Sequence, residues 1–171
     1  MEDISTIIEK VTERYSSPIR VGSRCEANVF YRVEYLSPED IDTLTDHIAE
    51  RIQKVCSPLD PELIISLPNY TELAKTLARR LSTSGEPLEV VNAEQLNPGN
   101  GKTSWLRGMN VILVNDVITT ARSCLEVHTK ATVLGATVLC WAAIIDRTFG
   151  PGPVPVAASF TGEPVRLLDM A

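Results

Sequence analysis

Val111-Ile112-Leu113-Val114-Asn115-Asp116-Val117-Ile118-Thr119-Thr120-Ala121-Arg122-Ser123 reads as a strand, a polar hinge and the start of a helix. Four apolar residues in a row fit a strand covered on both faces, as in parallel sheets. Asn115 and Asp116 then carry a hydrogen-bonding pair and one negative charge to that strand's carboxyl end. Open α/β sheets bind ligands at such ends. Thr119, Thr120, Ala121, Arg122 and Ser123 turn into the next helix, so hydroxyls, backbone N–H groups and a positive helix end meet in one place. Asp116, helped by Asn115, can accept from two vicinal ribose hydroxyls, and the turn can hold a monoester phosphate. The plainer reading is a strand–turn–helix capped by Thr119 or Ser123.

The same rhythm recurs on either side. Residues 63–67 and 88–91 read as short apolar strands, 71–81 as a helix, 123–134 as a helix ending at Gly135, and 137–145 as a further apolar strand. Strands alternating with helices of this length imply parallel crossovers. Upstream, Ser37-Pro38-Glu39-Asp40 is a helix start: Ser37 can cap, Pro38 suits the first position, and two acids favour the positive dipole end. Ile41, Leu44, Ile48, Ile52 and Val55 mark the buried face. Ile4, Ile7, Ile8 and Val11 predict a helix over 3–15, followed by a polar stretch, 16–28, and a β-rich run, 29–35. Residues 92–108 form a Gly/Asn/Pro-rich loop, and the tail holds two β-like pieces, 156–160 and 165–168. The fold class is α/β, a mostly parallel twisted sheet of about five strands flanked by helices on both faces.

Length and charge bound the function. A chain of 171 residues, 44% of them hydrophobic, fits one domain whose core needs no disulfide. The balance of 16 Lys and Arg against 22 Asp and Glu gives a net charge of −6, and no basic run exceeds Arg79-Arg80. That excludes nucleic acid as a partner. Met1-Glu2-Asp3 is acidic where an export signal is basic, and the longest apolar stretch, 138–145, falls short of a membrane helix. The expectation is a cytoplasmic protein with no membrane partner. Cys25, Cys56, Cys124 and Cys140 lack C-x-x-C spacing and read as reduced, buried thiols. His47 and His128 lack ligand spacing, so no protein-held metal is expected. Asn97-Pro98-Gly99-Asn100-Gly101-Lys102-Thr103 is not a P-loop, because Leu96 stands where Gly is needed and a strand follows. It reads as a mobile loop or as a short catalytic loop carrying Lys102.

The stretch quoted first resembles the phosphoribosyl-pyrophosphate (PRPP) motif of type I phosphoribosyltransferases. Asp116-Val117-Ile118-Thr119-Thr120 is most similar to the wording in orotate phosphoribosyltransferase. Gly22-Ser23-Arg24, Phe30-Tyr31 and Leu36-Ser37-Pro38-Glu39 resemble that family's N-terminal segment, and residues 64–81 its strand, pyrophosphate loop and helix. Asp146-Arg147 resembles the Asp-Arg after its next strand. The resemblance implies a single domain over 1–171, with a core at about 37–149 and a small hood from about 1–36 and 150–171. It implies that Asp116 binds the ribose and stabilises positive charge at C1, that Asn115 assists, and that Thr119, Thr120, Ala121, Arg122 and Ser123 hold the 5′-phosphate. Leu67, Pro68, Asn69 and Tyr70 would form the pyrophosphate loop, Lys102 would be catalytic, and Arg147 would meet a pyrimidine carboxylate. The implied reaction transfers ribose 5-phosphate from PRPP, bound with Mg²⁺, to a nucleobase such as orotate, and releases pyrophosphate. The implied assembly is a homodimer.

The chain departs from the family's pattern where charge matters. Asn115 replaces the first acid of an acidic pair. Ala121 stands where glycine is common; if that position needs φ > 0, alanine strains it by about 1 kcal/mol or more. Asn69-Tyr70-Thr71-Glu72 is bulky and ends in an acid, residues 92–95 lack cations, and Lys102 and Arg107 are the only cations of the following loop. A second expectation therefore stands beside the first: a non-catalytic protein that binds and senses PRPP or a nucleotide monophosphate. Arg147 has its own alternative, pairing with Asp146 or with a backbone carbonyl at the sheet edge. Arg24 can equally be a surface ion pair, and Trp141 core or subunit interface.

Overall fold

The chain begins with a short helix, α1 (Ile4–Glu9), whose N-cap Asp3 accepts from the Thr6 N–H at 2.8 Å. The computed structural model describes residues 2–22, 24–67, 72–96, 106–148 and 151–168. Ile7, Ile8 and Val11 are buried as their spacing predicts, but the helix stops well before residue 15. From Thr12 the chain runs as β1 (Thr12–Gly22), antiparallel to β2 (Cys25–Tyr31). Thr12, Tyr15, Ile19 and Val21 favour a paired strand over continued helix. Pro18, which cannot donate to a ladder, sits where the register shifts on this edge strand. The stretch expected to be a polar connection is thus mostly a hairpin. The β-rich run begins earlier than expected and ends in a 3₁₀ turn (Val33–Tyr35).

Next, α2 (Pro38–Cys56) starts as the sequence requires: Ser37 Oγ accepts from the Asp40 N–H at 3.1 Å, and Pro38 occupies the first turn. Leu44, Ile48 and Ile52 are fully buried on its inner face. There follow β3 (Leu63–Ser66), α3 (Glu72–Arg80), β4 (Glu89–Asn92), β5 (Asn110–Ile118), α4 (Arg122–Val133), β6 (Thr137–Asp146) and β7 (Val156–Thr161). These strands form one sheet in the order β4-β3-β5-β6-β7, with every neighbouring pair parallel. Gly135, at φ +90°, lets the chain turn out of α4 into β6.

The side-chain alternation of the strands divides the core in two. Ile64, Ile112, Val114, Cys140 and Ala142 pack with α1, α2 and α3 on one face. Leu63, Ile65, Val111, Leu113 and Trp141 pack with Cys124, Val127 and Ala131 of α4 on the other. Two apolar faces explain why these strands are continuous hydrophobic runs. All four cysteines are free and buried. Among the described residues, no helix is long and apolar enough to cross a membrane.

The hood is a separate three-stranded sheet, β1-β2-β8, in which β8 is Arg166–Leu167. Its expected boundary at residue 150 needs correction, because Val156–Thr161 is the fifth strand of the large sheet. Ala157 and Ala158 lie in register with Ala142 and Ala143 of β6. Ala142 and Ala157, which face the α2 side, leave room for that helix, which packs against both strands. Beyond that strand, Arg166–Leu167 pairs with β2 of the hood.

Candidate functional site

The sheet order reverses direction between β3 and β5: the chain goes from β3 to β4 on one side, then crosses β3 to lay down β5 on the other. Ligand crevices of open α/β sheets form at such switch points. β3 pairs with β5 only as far as Ser66 against Val114, while β5 continues to Ile118 beside β6. The edge of β5 is therefore free of β3 from Asn115 onward, where the polar pair sits.

Asn115 and Asp116 are half-buried. Asn115 Oδ1 accepts from the Asp116 N–H at 2.9 Å, which fixes the amide at the strand's end. Burial first, and then the Glu34 carboxylate, raises the Asp116 pKa above the usual aspartate range. Nothing among the described residues offsets this, so the carboxylate, when ionised, is a partly desolvated charge without a cation. Glu34 belongs to the 3₁₀ turn after β2. No local signal in the sequence assigns it to this site, because its proximity comes from the docking of the hood.

Ala121 adopts φ 67°, ψ −4°, and it is the only described non-glycine residue with positive φ. It is the N-cap of α4, makes no side-chain cap and accepts the Leu125 N–H through its carbonyl at 2.8 Å. Neither Thr119 nor Ser123 caps the helix. The first N–H groups of α4 consequently have no partner within the helix. Beside them lies a cavity of about 130 Å³ lined by Asn115 and residues 117–124. Hydroxyls, free amides and the positive helix end form an anion cradle there. The left-handed alanine makes the abrupt turn possible at a conformational cost of about 1 kcal/mol.

Two further cavities adjoin the cradle. One of about 220 Å³ lies toward β3 and β4, against Leu67, Ala93, Glu94, Asn115, Ser123 and Lys130. The other, of about 400 Å³, separates the hood from the turn and is bordered by Arg24, Thr119, Thr120, Arg122, Leu167 and Leu168. Asn115, Thr119, Thr120, Ala121, Arg122, Ser123 and Leu67 line these adjoining cavities, whereas Asp116, next to Asn115 in the strand, lines none of the three. Pro68, Asn69, Tyr70 and Lys102 lie outside the described residues.

Arg147 is placed differently. It is 3% exposed, its Nε donates to the Glu163 carbonyl at 2.8 Å, and Nη2 donates to the Val29 carbonyl at 3.0 Å. Its guanidinium lies 5.0 Å from the Tyr31 ring centroid, and Tyr31 Oη accepts from the Glu163 N–H at 2.9 Å. Gly162 is required in this knot: a Cβ there would come within 2.8 Å of Ile145 and 3.0 Å of Tyr31. The bonds join β2 of the hood to the ends of β6 and β7. Of the readings open for Arg147, the structure displays the backbone-carbonyl one. Asp146 instead accepts from the Thr148 N–H at 3.0 Å and from its hydroxyl at 2.7 Å.

Compared by sequence, the chain matches no protein-family model and no curated protein. Compared by structure, it is similar to orotate phosphoribosyltransferase from Aeropyrum pernix, with a TM-score of 0.66 and 20% identity over 92% of this chain and 93% of that one. It is also similar to orotate phosphoribosyltransferase from Mycobacterium tuberculosis H37Rv, solved with inorganic phosphate (TM-score 0.62, 15% identity, 92% and 93% covered). A third similar structure is the HGPRT-ase of Leishmania tarentolae in complex with GMP (TM-score 0.52, 16% identity, 73% and 78% covered). The architecture, a five-stranded parallel sheet flanked by helices, is that of the type I phosphoribosyltransferases.

Proposed function

We propose that this chain binds PRPP at the carboxyl end of β5 and transfers its ribose 5-phosphate to a nucleobase such as orotate, releasing pyrophosphate. The observation that carries the reading is the left-handed Ala121 at the β5–α4 turn, which opens α4 without a side-chain cap beside a cavity that Asn115 also lines. The 5′-phosphate is held by the first amides of α4 with the hydroxyls of Thr119, Thr120 and Ser123. The ribose hydroxyls lie against Asp116 and Asn115. As the C1–O bond to pyrophosphate breaks, its electron pair leaves with the pyrophosphate oxygen, positive charge grows at C1, and a base nitrogen forms the new C1–N bond and releases its proton to solvent. An ionised Asp116 without a counter-ion is placed to stabilise that charge, more strongly in a part-buried site than in water. Mg²⁺ bound with PRPP supplies charge neutralisation for the leaving pyrophosphate.

The test is pyrophosphate release by purified protein given PRPP, Mg²⁺ and each common base. Release that depends on one base, and is lost in Asp116→Asn, is the expected result. No base-dependent release with any of them, orotate included, overturns the transfer.

A second reading, binding without turnover, is favoured by one observation: Asn115 presents a neutral amide, already bonded to the Asp116 N–H, in place of a second charge. On that reading, calorimetry gives ribose 5-phosphate and PRPP similar affinities, with no dependence on Mg²⁺. Transfer predicts much tighter, Mg²⁺-dependent PRPP binding.

A further inference from the structure

Two of the four cysteines meet inside the molecule. Cys56 is the last residue of α2 and Cys140 lies in β6, 84 residues further on, yet their Sγ atoms are 3.7 Å apart. Both belong to the core between the sheet and α2, whereas Cys124 packs on the opposite face of the sheet and Cys25 in the hood. Neither Cys56 nor Cys140 lines a cavity at the candidate site. A disulfide needs the sulfurs at about 2.05 Å, and Cys56 can close that gap because helix ends fray and adjust where helix middles do not. Cys140 is fully buried and Cys56 is 6% exposed. Beside the helix end lies a cavity of about 240 Å³ whose lining includes Gln53, about one turn before Cys56, and Ser57, the residue after it. A small oxidant therefore meets Cys56 first. The Cys140 thiol lowers the Cys56 pKa, while Cys56 and burial push that of Cys140 up, so the thiolate forms on the outer sulfur.

We propose that Cys56 and Cys140 are a redox-modification site, a dithiol that a peroxide converts to a disulfide and a dithiol reductant restores. The Cys56 thiolate attacks one peroxide oxygen. The O–O bond breaks, and the departing hydroxide takes up the proton that the thiol released and leaves as water. Cys56 is then a sulfenic acid, oxidised by two electrons, and the peroxide is reduced. The Cys140 sulfur next attacks the Cys56 sulfur. The S–S bond forms, the S–O bond breaks, and the hydroxyl leaves with the Cys140 proton as a second water. The bond clips the end of α2 to β6 and closes a long loop in the unfolded chain, so the oxidised form is the more stable one.

The test treats the full chain with hydrogen peroxide in native buffer, alkylates the remaining thiols and maps the peptides by mass spectrometry. A Cys56–Cys140 crosslink is expected, with Cys25 and Cys124 alkylated, together with a Tm about 10 °C higher that dithiothreitol returns to its starting value. Cys56→Ala is expected to lose both the crosslink and the Tm rise, and Cys25→Ala to keep both. Alkylation of Cys56 and Cys140 after peroxide overturns the proposal, as does sulfinic or sulfonic acid on Cys56 without a crosslink. So does a crosslink that forms only in urea or that involves Cys25 or Cys124. A native crosslink with an unchanged or lower Tm overturns the stabilising clip.

Discussion

Arg147 Nη2 donates to the carbonyl oxygen of Val29 at 3.0 Å, across 118 residues of chain, in a fully buried contact. With the second bond to Glu163 it fastens the hood strand β2 to the end of β6. Removing the guanidinium leaves the buried Val29 carbonyl without this donor, at about 1–3 kcal/mol, and the part-buried Glu163 carbonyl without its own at less. Arg147→Met is therefore expected to lower unfolding stability by about 3 kcal/mol in a urea titration. Arg147→Lys restores little, because one ammonium cannot reproduce the fork that spans both carbonyls. A variant that loses base binding at unchanged stability would contradict this.

Ala121 holds a backbone conformation that costs an L-residue about 1–2 kcal/mol and glycine nothing. Ala121→Gly is expected to stabilise the fold by about 1 kcal/mol, read as a higher Tm, and Ala121→Val to destabilise it by more. An unchanged or lower Tm in Ala121→Gly would mean that the turn relaxes in solution to negative φ.

Asp116 carries a raised pKa, caused mainly by burial and then by Glu34. The folded state thus binds this proton more tightly than the unfolded chain does. The stability it contributes is complete below about pH 4 and is lost as pH rises through the raised value. Asp116→Asn is expected to raise Tm at pH 7, with the gain shrinking as pH falls toward 4, while ribose 5-phosphate binding weakens. A Tm gain independent of pH would show that the carboxylate is not the destabilising group.

Trp141 Nε1 donates to His128 Nδ1 at 3.3 Å, so that nitrogen must be unprotonated. Burial lowers the His128 pKa. For a depressed histidine the stabilisation is full above about pH 6.5 and declines as pH falls through the folded-state value. His47, also depressed by burial, adds to the same limb. In a Trp105→Phe background, Trp141 fluorescence is expected to change with a midpoint below pH 6.5, and His128→Gln to remove that transition while flattening part of the stability limb. A midpoint above 6.5 would rule out the buried, accepting imidazole.

Much of the candidate site was legible in sequence because its polar groups lie close together along one stretch. Asn115, Asp116 and residues 119–123 come from a single strand and the turn that follows it, so strand geometry and helix-end physics place them with no knowledge of the rest. The conditional statement about Ala121 is of the same kind: the turn does require positive φ. The first fifteen residues were misread because four apolar positions at helical spacing are equally well buried by a short helix followed by a strand. Only pairing with β2 distinguishes the two.

Sequence by itself determined the parallel sheet, since hydrophobic runs without alternation need cover on both faces and helices of this length supply it. It also marked the candidate phosphate cradle, the polar turn after one strand. The tertiary structure alone decided where the distant arginines lie. Asp146-Arg147 and Gly22-Ser23-Arg24 look alike as candidates, each a basic residue in a loop. Docking of the hood buries Arg147 against the backbone carbonyls of Val29 and Glu163, and leaves Arg24 facing Arg122 across an open cavity. A guanidinium goes where its donors are satisfied, and whether that is a buried carbonyl or a ligand depends on neighbours a hundred residues away.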